Sequence, residues 1–162
     1  MTTECSFQIY HNDGLQTIDG SIIREVAQLS RDWEIEHQGG DTTRVPAVSE
    51  YEQTLQADCE LSDRTIIVLA TFVGTVVGYI VANSHRTDSA TMALQDMYVG
   101  AEHRQMGIGR KLLNSLEDEA KQAGVTTVVA EIQTSEGRQL LLGSGYVSDS
   151  DDAIASHILT QE

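Results

Sequence analysis

The stretch HRQMGIGRKLL, residues 103–113, sets Gly107 and Gly109 between Arg104 and Arg110 and runs directly into a leucine pattern at helical spacing. Glycines at the mouth of a helix let the backbone approach a bound group, because no Cβ stands in the way. The first turn of a helix also offers unpaired N–H groups and the positive end of the helix dipole, which suit phosphate. The guanidinium forks of Arg104 and Arg110 match phosphate oxygens. The four residues therefore predict a pyrophosphate site. Two other glycine motifs fail on spacing: the dinucleotide fingerprint needs a third glycine where Leu112 stands, and a P-loop needs Gly-Lys-Ser/Thr. The alternative is a helix N-terminus with flexible glycines and nothing bound.

A loop of this kind needs a strand before it and a helix after it. Residues 91–99 read as a strand through Met92, Leu94, Met97 and Val99, and the alternation slips at Gln95-Asp96 as a β-bulge would make it. After the loop, Ile108, Leu112, Leu113, Leu116, Ala120 and Ala123 repeat at helical spacing; Glu117 is placed to pair with Lys121, and Gly124 ends the run. Upstream, a weak strand near Cys5 precedes a helix over residues 21–36, capped by Asp19 and carrying Ile22, Ile23, Val26, Leu29 and Trp33 on one face. Ser49 and Glu52 predict a capping box for a second helix reaching about Leu61. Downstream come a strand over residues 126–132, a short helix in EGRQLLLG and a closing strand near IASHILT.

Residues 65–82, TIIVLATFVGTVVGYIVA, carry no charge over 18 positions, long enough to suggest a membrane span. The β-branched residues Ile66, Ile67, Val68, Val73, Val76, Val77, Ile80 and Val81, with Gly74-Thr75 as a turn signal, predict instead two buried strands in a hairpin. With 162 residues and no linker or repeat, the chain reads as one domain over residues 1–162, large enough to need no disulfide or metal. Cys5 and Cys59 lack zinc spacing and read as free thiols, and the N-terminal sequence has no secretory pattern, so a cytoplasmic location is expected. The histidines show no metal spacing, and His103 reads as a packing or capping residue beside the loop. A net charge of −15 argues against nucleic acid. Residues 32–63 hold nine acids against Arg44, a net of −8, whereas residues 101–112 are basic by +2.

The segment MYVGAEHRQMGIGRKLL resembles the signature of the GNAT superfamily of N-acetyltransferases, a strand ending in valine and then Arg/Gln-x-x-Gly-x-Gly/Ala, matched by Val99, Arg104, Gly107 and Gly109. The order of predicted elements agrees over nearly the whole chain. GSGYV, residues 143–147, is similar to a weaker Gly-Phe element of the family, with Tyr146 in place of Phe. The resemblance implies an α/β fold with a central mixed sheet, splayed between two parallel strands and covered by helices on both faces. It implies acetyl-CoA as cosubstrate and no metal. The amides of Gln105, Met106, Gly107, Ile108 and Gly109, with Arg104 and Arg110, would hold the pyrophosphate. The pantetheine arm would lie along Met97, Tyr98 and Val99, where the strand over residues 91–99 and its parallel neighbour over residues 126–132 part.

The reaction so implied needs a free amine, hence a group that takes the ammonium proton. LQDMYV is similar to the LEDFFV type of sequence in diamine acetyltransferases, with Gln95 where the glutamate stands and Asp96 retained. Asp96 is thus the expected base or ammonium anchor, and Glu131 the second candidate; the alternative is a carboxylate that only bonds backbone at the bulge. The family's acid tyrosine falls on Leu141. Tyr146 is the substitute candidate against a plain core role, and a thiolate can leave unassisted because thiols are acidic, with pKa near ~8.5. The expected partners are acetyl-CoA and an amine acceptor, with a homodimer allowed and neither nucleic acid nor membrane. The acceptor reads as a small cationic amine such as a polyamine or aminoglycoside, or a peptide amine, steered by the acidic segment. The rival reading of that acidity is a halophilic or solubilising surface. The rival function is an acyl-CoA-binding sensor or partner domain that has lost turnover, consistent with Gln95 and Leu141.

Overall fold

The computed structural model describes residues 4–13, 15–85, 88–151 and 153–159. Among these residues, seven strands form one sheet in the order β1-β2-β3-β4-β5-β7-β6. The strands are β1 (Ser6–Asn12), β2 (Thr65–Phe72), β3 (Thr75–His85), β4 (Asp88–Val99), β5 (Thr127–Glu131), β6 (Val147–Ser148) and β7 (Ile154–Ile158). Every pairing is antiparallel except β4 with β5. Helices α1 (Gly20–His37) and α2 (Val48–Leu61) cover one face; α3 (Ile108–Gln122) and α4 (Ser135–Gly143) cover the other.

The uncharged segment is the hairpin β2–β3, buried because alternate side chains enter opposite cores. Ile66, Val68, Ala70, Ile80 and Ala82 pack on the α3 side, while Ile67, Leu69, Tyr79 and Val81 pack on the α1 side. A strand covered on both faces reads as a continuous apolar run, so hydropathy alone cannot tell it from a membrane helix. Among the described residues no helix is long and apolar enough to cross a membrane. The turn falls on Val73 and Gly74, both at positive φ (50° and 77°), one residue earlier than the Gly74-Thr75 signal. Two positive φ values in succession make the tight turn whose twist matches the flanking strands.

Asp19 caps α1 as expected, its side chain accepting from the Ser21 amide at 2.8 Å. The Ser49–Glu52 capping box does not form. Helix α2 starts at Val48 with Ala47 as an extended cap, so Ser49 already lies inside the helix. Helix α3 ends in a Schellman arrangement at Gly124 (φ 85°), with the Gly124 amide on the Lys121 carbonyl at 3.0 Å and the Val125 amide on that of Ala120 at 2.9 Å. Glu117 does not pair with Lys121 along the helix surface: it is buried, with Oε2 3.5 Å from His157 Nδ1 of β7. Glu117 lies four residues after Leu113 and three before Ala120, on the buried stripe of α3.

Candidate active site

The parallel pairing of β4 with β5 runs from Thr91↔Thr127 to Leu94↔Ala130 and stops. Beyond it, residues 96–99 stay paired with β3 alone, so the other edge of β4 is left with unpaired backbone groups. This is the splay anticipated between the two parallel strands. It opens into a cavity of about 920 Å³ floored by Met97, Tyr98 and Val99 and closed by the loop residues Arg104, Gln105, Gly107, Ile108, Gly109 and Arg110. Nine of the ten residues expected to hold the donor thus surround one space. Met106 stands apart, 54% exposed and outside the lining.

The two loop glycines have different reasons to be glycine. Gly107 has open space around its missing Cβ but a φ of +77°, a conformation that L side chains resist. Gly109 lies in the first turn of α3, where a Cβ would make only ordinary contact, 3.4 Å from Leu140 and 4.0 Å from Val99. No side chain caps this helix, which leaves its first amides for a guest.

Both arginines line the donor cavity and also bond groups of the protein. Arg104 donates from both terminal nitrogens to Glu36, at 2.7 and 2.8 Å, and from Nε to the Val99 carbonyl at 2.9 Å. Its guanidinium also lies 5.5 Å from the Tyr98 ring centroid. The arginine fork holds the Glu36 carboxyl below its usual range, against a smaller opposing effect of burial. Arg110 donates to the Gly143 carbonyl at 2.9 Å, tying α3 to the end of α4. His103 packs its ring on Phe72, centroids 5.4 Å apart.

The bulge at Gln95 decides where Asp96 points. Val81 faces Asp96 and Ala82 faces Leu94, so Gln95 is the extra residue. Strict alternation from Met92 and Leu94 would aim Asp96 at the α3 core; one inserted residue turns it to the α1 face instead. There the Tyr79 hydroxyl donates to its Oδ2, Ser30 of α1 lies 3.5 Å from the same oxygen, and Ser30 and Tyr79 are 2.7 Å apart. Burial raises the Asp96 pKa, opposed by bonds from Tyr79, the Met97 amide and Ser30. Burial and the neighbouring Asp96 charge raise that of Tyr79.

Asp96 lies in the wall of a second cleft, of about 460 Å³, between α1, α2 and the sheet. Glu34, Glu50 and Asp58 also line it, with Trp33 and Tyr51; no lysine, arginine or histidine stands among the lining residues described. Tyr51 donates to Glu34 and its pKa is pushed up to about 12, by burial first and by that carboxylate second.

Two candidates stay away from this site. Glu131 is exposed at the end of β5 and lines neither cavity. Tyr146 is 3% exposed, packs its ring 5.1 Å from that of His157, and also lines neither. It is a core residue, and Leu141 is buried beside the same core. Tyr79, Ser30, Trp33 and Glu36 join the site only through the fold. A lone tyrosine in an 18-residue uncharged stretch was the available signal for Tyr79, since a buried hydroxyl needs a partner.

Comparison with known proteins places this geometry. The model of the "Acetyltransferase (GNAT) family" matches residues 27–140. The fold is similar to that of yncA of Salmonella typhimurium, solved with its cofactor acetyl-CoA, at TM-score 0.71 and 18% identity over 98% of this chain and 95% of that one. It is similar to the PaiA N-acetyltransferase of Thermoplasma acidophilum in complex with coenzyme A, at TM-score 0.68 and 17% identity over 94% and 99% of the two chains. It is also similar to the ribosomal-protein-S18-alanine N-acetyltransferase of Escherichia coli, at TM-score 0.65 and 15% identity over 97% and 96%. No curated protein matches the sequence. With the family match spanning both the Asp96 strand and the glycine loop, the chain belongs to the GNAT family of acetyltransferases.

Proposed function

We propose that the protein transfers the acetyl group of acetyl-CoA to the primary amine of a small cationic acceptor, by direct attack while both are bound. The observation that carries this reading is the place of Asp96: a carboxylate fixed by Tyr79 and Ser30 in a cleft whose charged lining is entirely acidic, on the strand whose free edge floors the donor cavity. In this reading the loop amides of residues 105–109 hold the pyrophosphate, and the free backbone of residues 97–99 pairs with the pantetheine arm. The PaiA and yncA structures, solved with coenzyme A and acetyl-CoA, support that donor.

The acceptor arrives as an ammonium ion, which the carboxylates of the second cleft attract. Asp96 takes its proton, directly or through one water, and the freed nitrogen attacks the thioester carbonyl carbon. The C–N bond forms, the C–S bond breaks, the CoA thiolate leaves, and the second proton of the attacking nitrogen passes to that thiolate or to water. A carboxylate of raised pKa is a better proton acceptor than an ordinary one. No side chain is needed to protonate the leaving thiolate, because a thiol is acidic enough, with pKa near ~8.5, for its anion to leave unassisted. The test is thiol release from acetyl-CoA with a panel of diamines, polyamines, aminoglycosides and peptide N-termini, followed by mass spectrometry of the products. An acetylated cationic amine is the expected outcome; thiol release with none of the panel would overturn the assignment.

A further inference from the structure

Helix α1 runs from one cavity to the other, and one stripe of it serves both. Ser30 reaches the Asp96 carboxylate, and Trp33 and His37 follow at three and seven residues on the same face. Among the lining residues described, Trp33 is shared by the donor cavity and the acceptor cleft. We propose that the Trp33 indole is the partition at which donor and acceptor meet. It limits the bulk allowed on the carbon bearing the reacting amine, and it keeps water from the thioester. The proposal rests on the amine acetyltransferase reading above.

Three features fit this role. The indole is held in place: it stacks on His37 with ring centroids 4.0 Å apart and planes at 27°, and His37 Nδ1 bonds the Trp33 carbonyl at 2.9 Å. The stack on His37 restricts the rotamers open to the indole, which is what a size filter requires. It is the largest apolar side chain on the acceptor cleft's lining, and the charged groups there (Glu34, Glu50, Asp58 and Asp96) are suited to attracting charge and poorly suited to measuring shape. Its backbone lies one turn from Ser30 and one turn from Glu36, so the ring stands between the residue that touches Asp96 and the residue that touches the glycine loop. Removing it merges the two spaces. Water then reaches the thioester, its oxygen bonds the carbonyl carbon as the C–S bond breaks, and acetate and the CoA thiol form, the proton of the acid so produced passing to solvent.

The experiment uses the full chain as wild type, Trp33→Phe and Trp33→Ala. Thiol release is followed with the best acceptor of the panel and with its homologue carrying a methyl on each amine-bearing carbon, so that either end presents one methyl, for example 1,4-diaminobutane and 2,5-diaminohexane in the diamine series. The wild type should prefer the unbranched amine. Trp33→Ala should narrow the ratio of the two kcat/KM values by about tenfold or more, the scale on which one methyl is discriminated by a pocket. Trp33→Phe should fall between, and thiol release without any amine should rise in the order wild type, Phe, Ala. Equal losses for both amines with an unchanged ratio and unchanged amine-free release, in whichever variant is folded by circular dichroism, would show that Trp33 only supports the helix and would overturn the partition. A wild type that releases no thiol with any amine would sink the transferase reading itself, and this proposal with it.

Discussion

The Tyr79 hydroxyl donates to the Asp96 carboxylate across the β3–β4 ladder, beneath helix α1, and Ser30 of that helix contacts both. Asp96→Asn should leave CoA affinity near the wild-type value, because the donor cavity is bounded by backbone and by other side chains. Turnover should fall by roughly 10²- to 10⁴-fold, about 3 to 5 kcal/mol of barrier. Stability should move the other way. Burial raises the folded-state pKa of Asp96 above its unfolded value, so its contribution to stability is fully present below the unfolded pKa and is lost as pH rises through the folded one. At pH 7 the ionised carboxylate is a burden, and the variant's Tm should be equal to or above that of the wild type. A lower Tm with normal kcat would mark Asp96 as structural.

The same shift sets the pH dependence of the reaction. Activity should fall on the acid side as Asp96 protonates, with the midpoint above the usual carboxylate range because burial raises it. Tyr79→Phe removes a bond that favours the ionised form, so the acid limb of kcat against pH should move to higher pH. A limb that does not move would exclude Asp96 as the titrating group.

At the loop, Gly109→Glu should abolish or sharply weaken CoA binding while the protein stays folded, since the new side chain brings negative charge to the first turn of α3. Gly107→Ala should act through the backbone instead, costing about 1 kcal/mol of stability at its φ of +77°. Isothermal titration with CoA and thermal melts separate the two. Undiminished CoA affinity in folded Gly109→Glu would displace the pyrophosphate from this loop.

Glu36→Gln should tighten CoA binding severalfold at low salt. The substitution removes a negative charge from the donor cavity and frees the Arg104 fork that Glu36 now occupies at 2.7 and 2.8 Å. The gain should shrink as salt rises, because a half-exposed charge is screened over about 10 Å at 0.1 M ionic strength. Weaker CoA binding in the variant would instead show that the pair braces the loop.

Gly78→Ala tests the ladder that carries the site. A Cβ there would lie 2.9 Å from the Tyr98 carbonyl oxygen and 3.3 Å from a Val99 methyl, in the middle of the sheet. The strands must part slightly, at a cost of about 1 to 3 kcal/mol in urea unfolding. An unchanged midpoint would mean that β3 and β4 have slack where they support residues 97–99.

What the chain alone determined is local. Periodicity marks α1, α3 and the β2–β3 hairpin, Gly124 marks the end of α3, and the slip at Gln95-Asp96 marks the bulge, because each depends on residues within a turn or a strand of one another. The glycine loop was legible for the same reason: strand, loop and helix N-terminus are contiguous. Tertiary structure alone decided which groups meet. Arg104 and Glu36 are 68 residues apart in the chain, Asp96 and Ser30 66, and Glu117 of α3 meets His157 of β7 only in the folded chain. An arginine placed beside glycines has the spacing to bind phosphate, but a carboxylate from a helix packed across the cavity offers it a bidentate partner at hydrogen-bond distance, and no local pattern records that helix's approach. Trp33 reads along the helix as one more core residue; it becomes the wall between two cavities because α1 ends where the free edge of β4 begins.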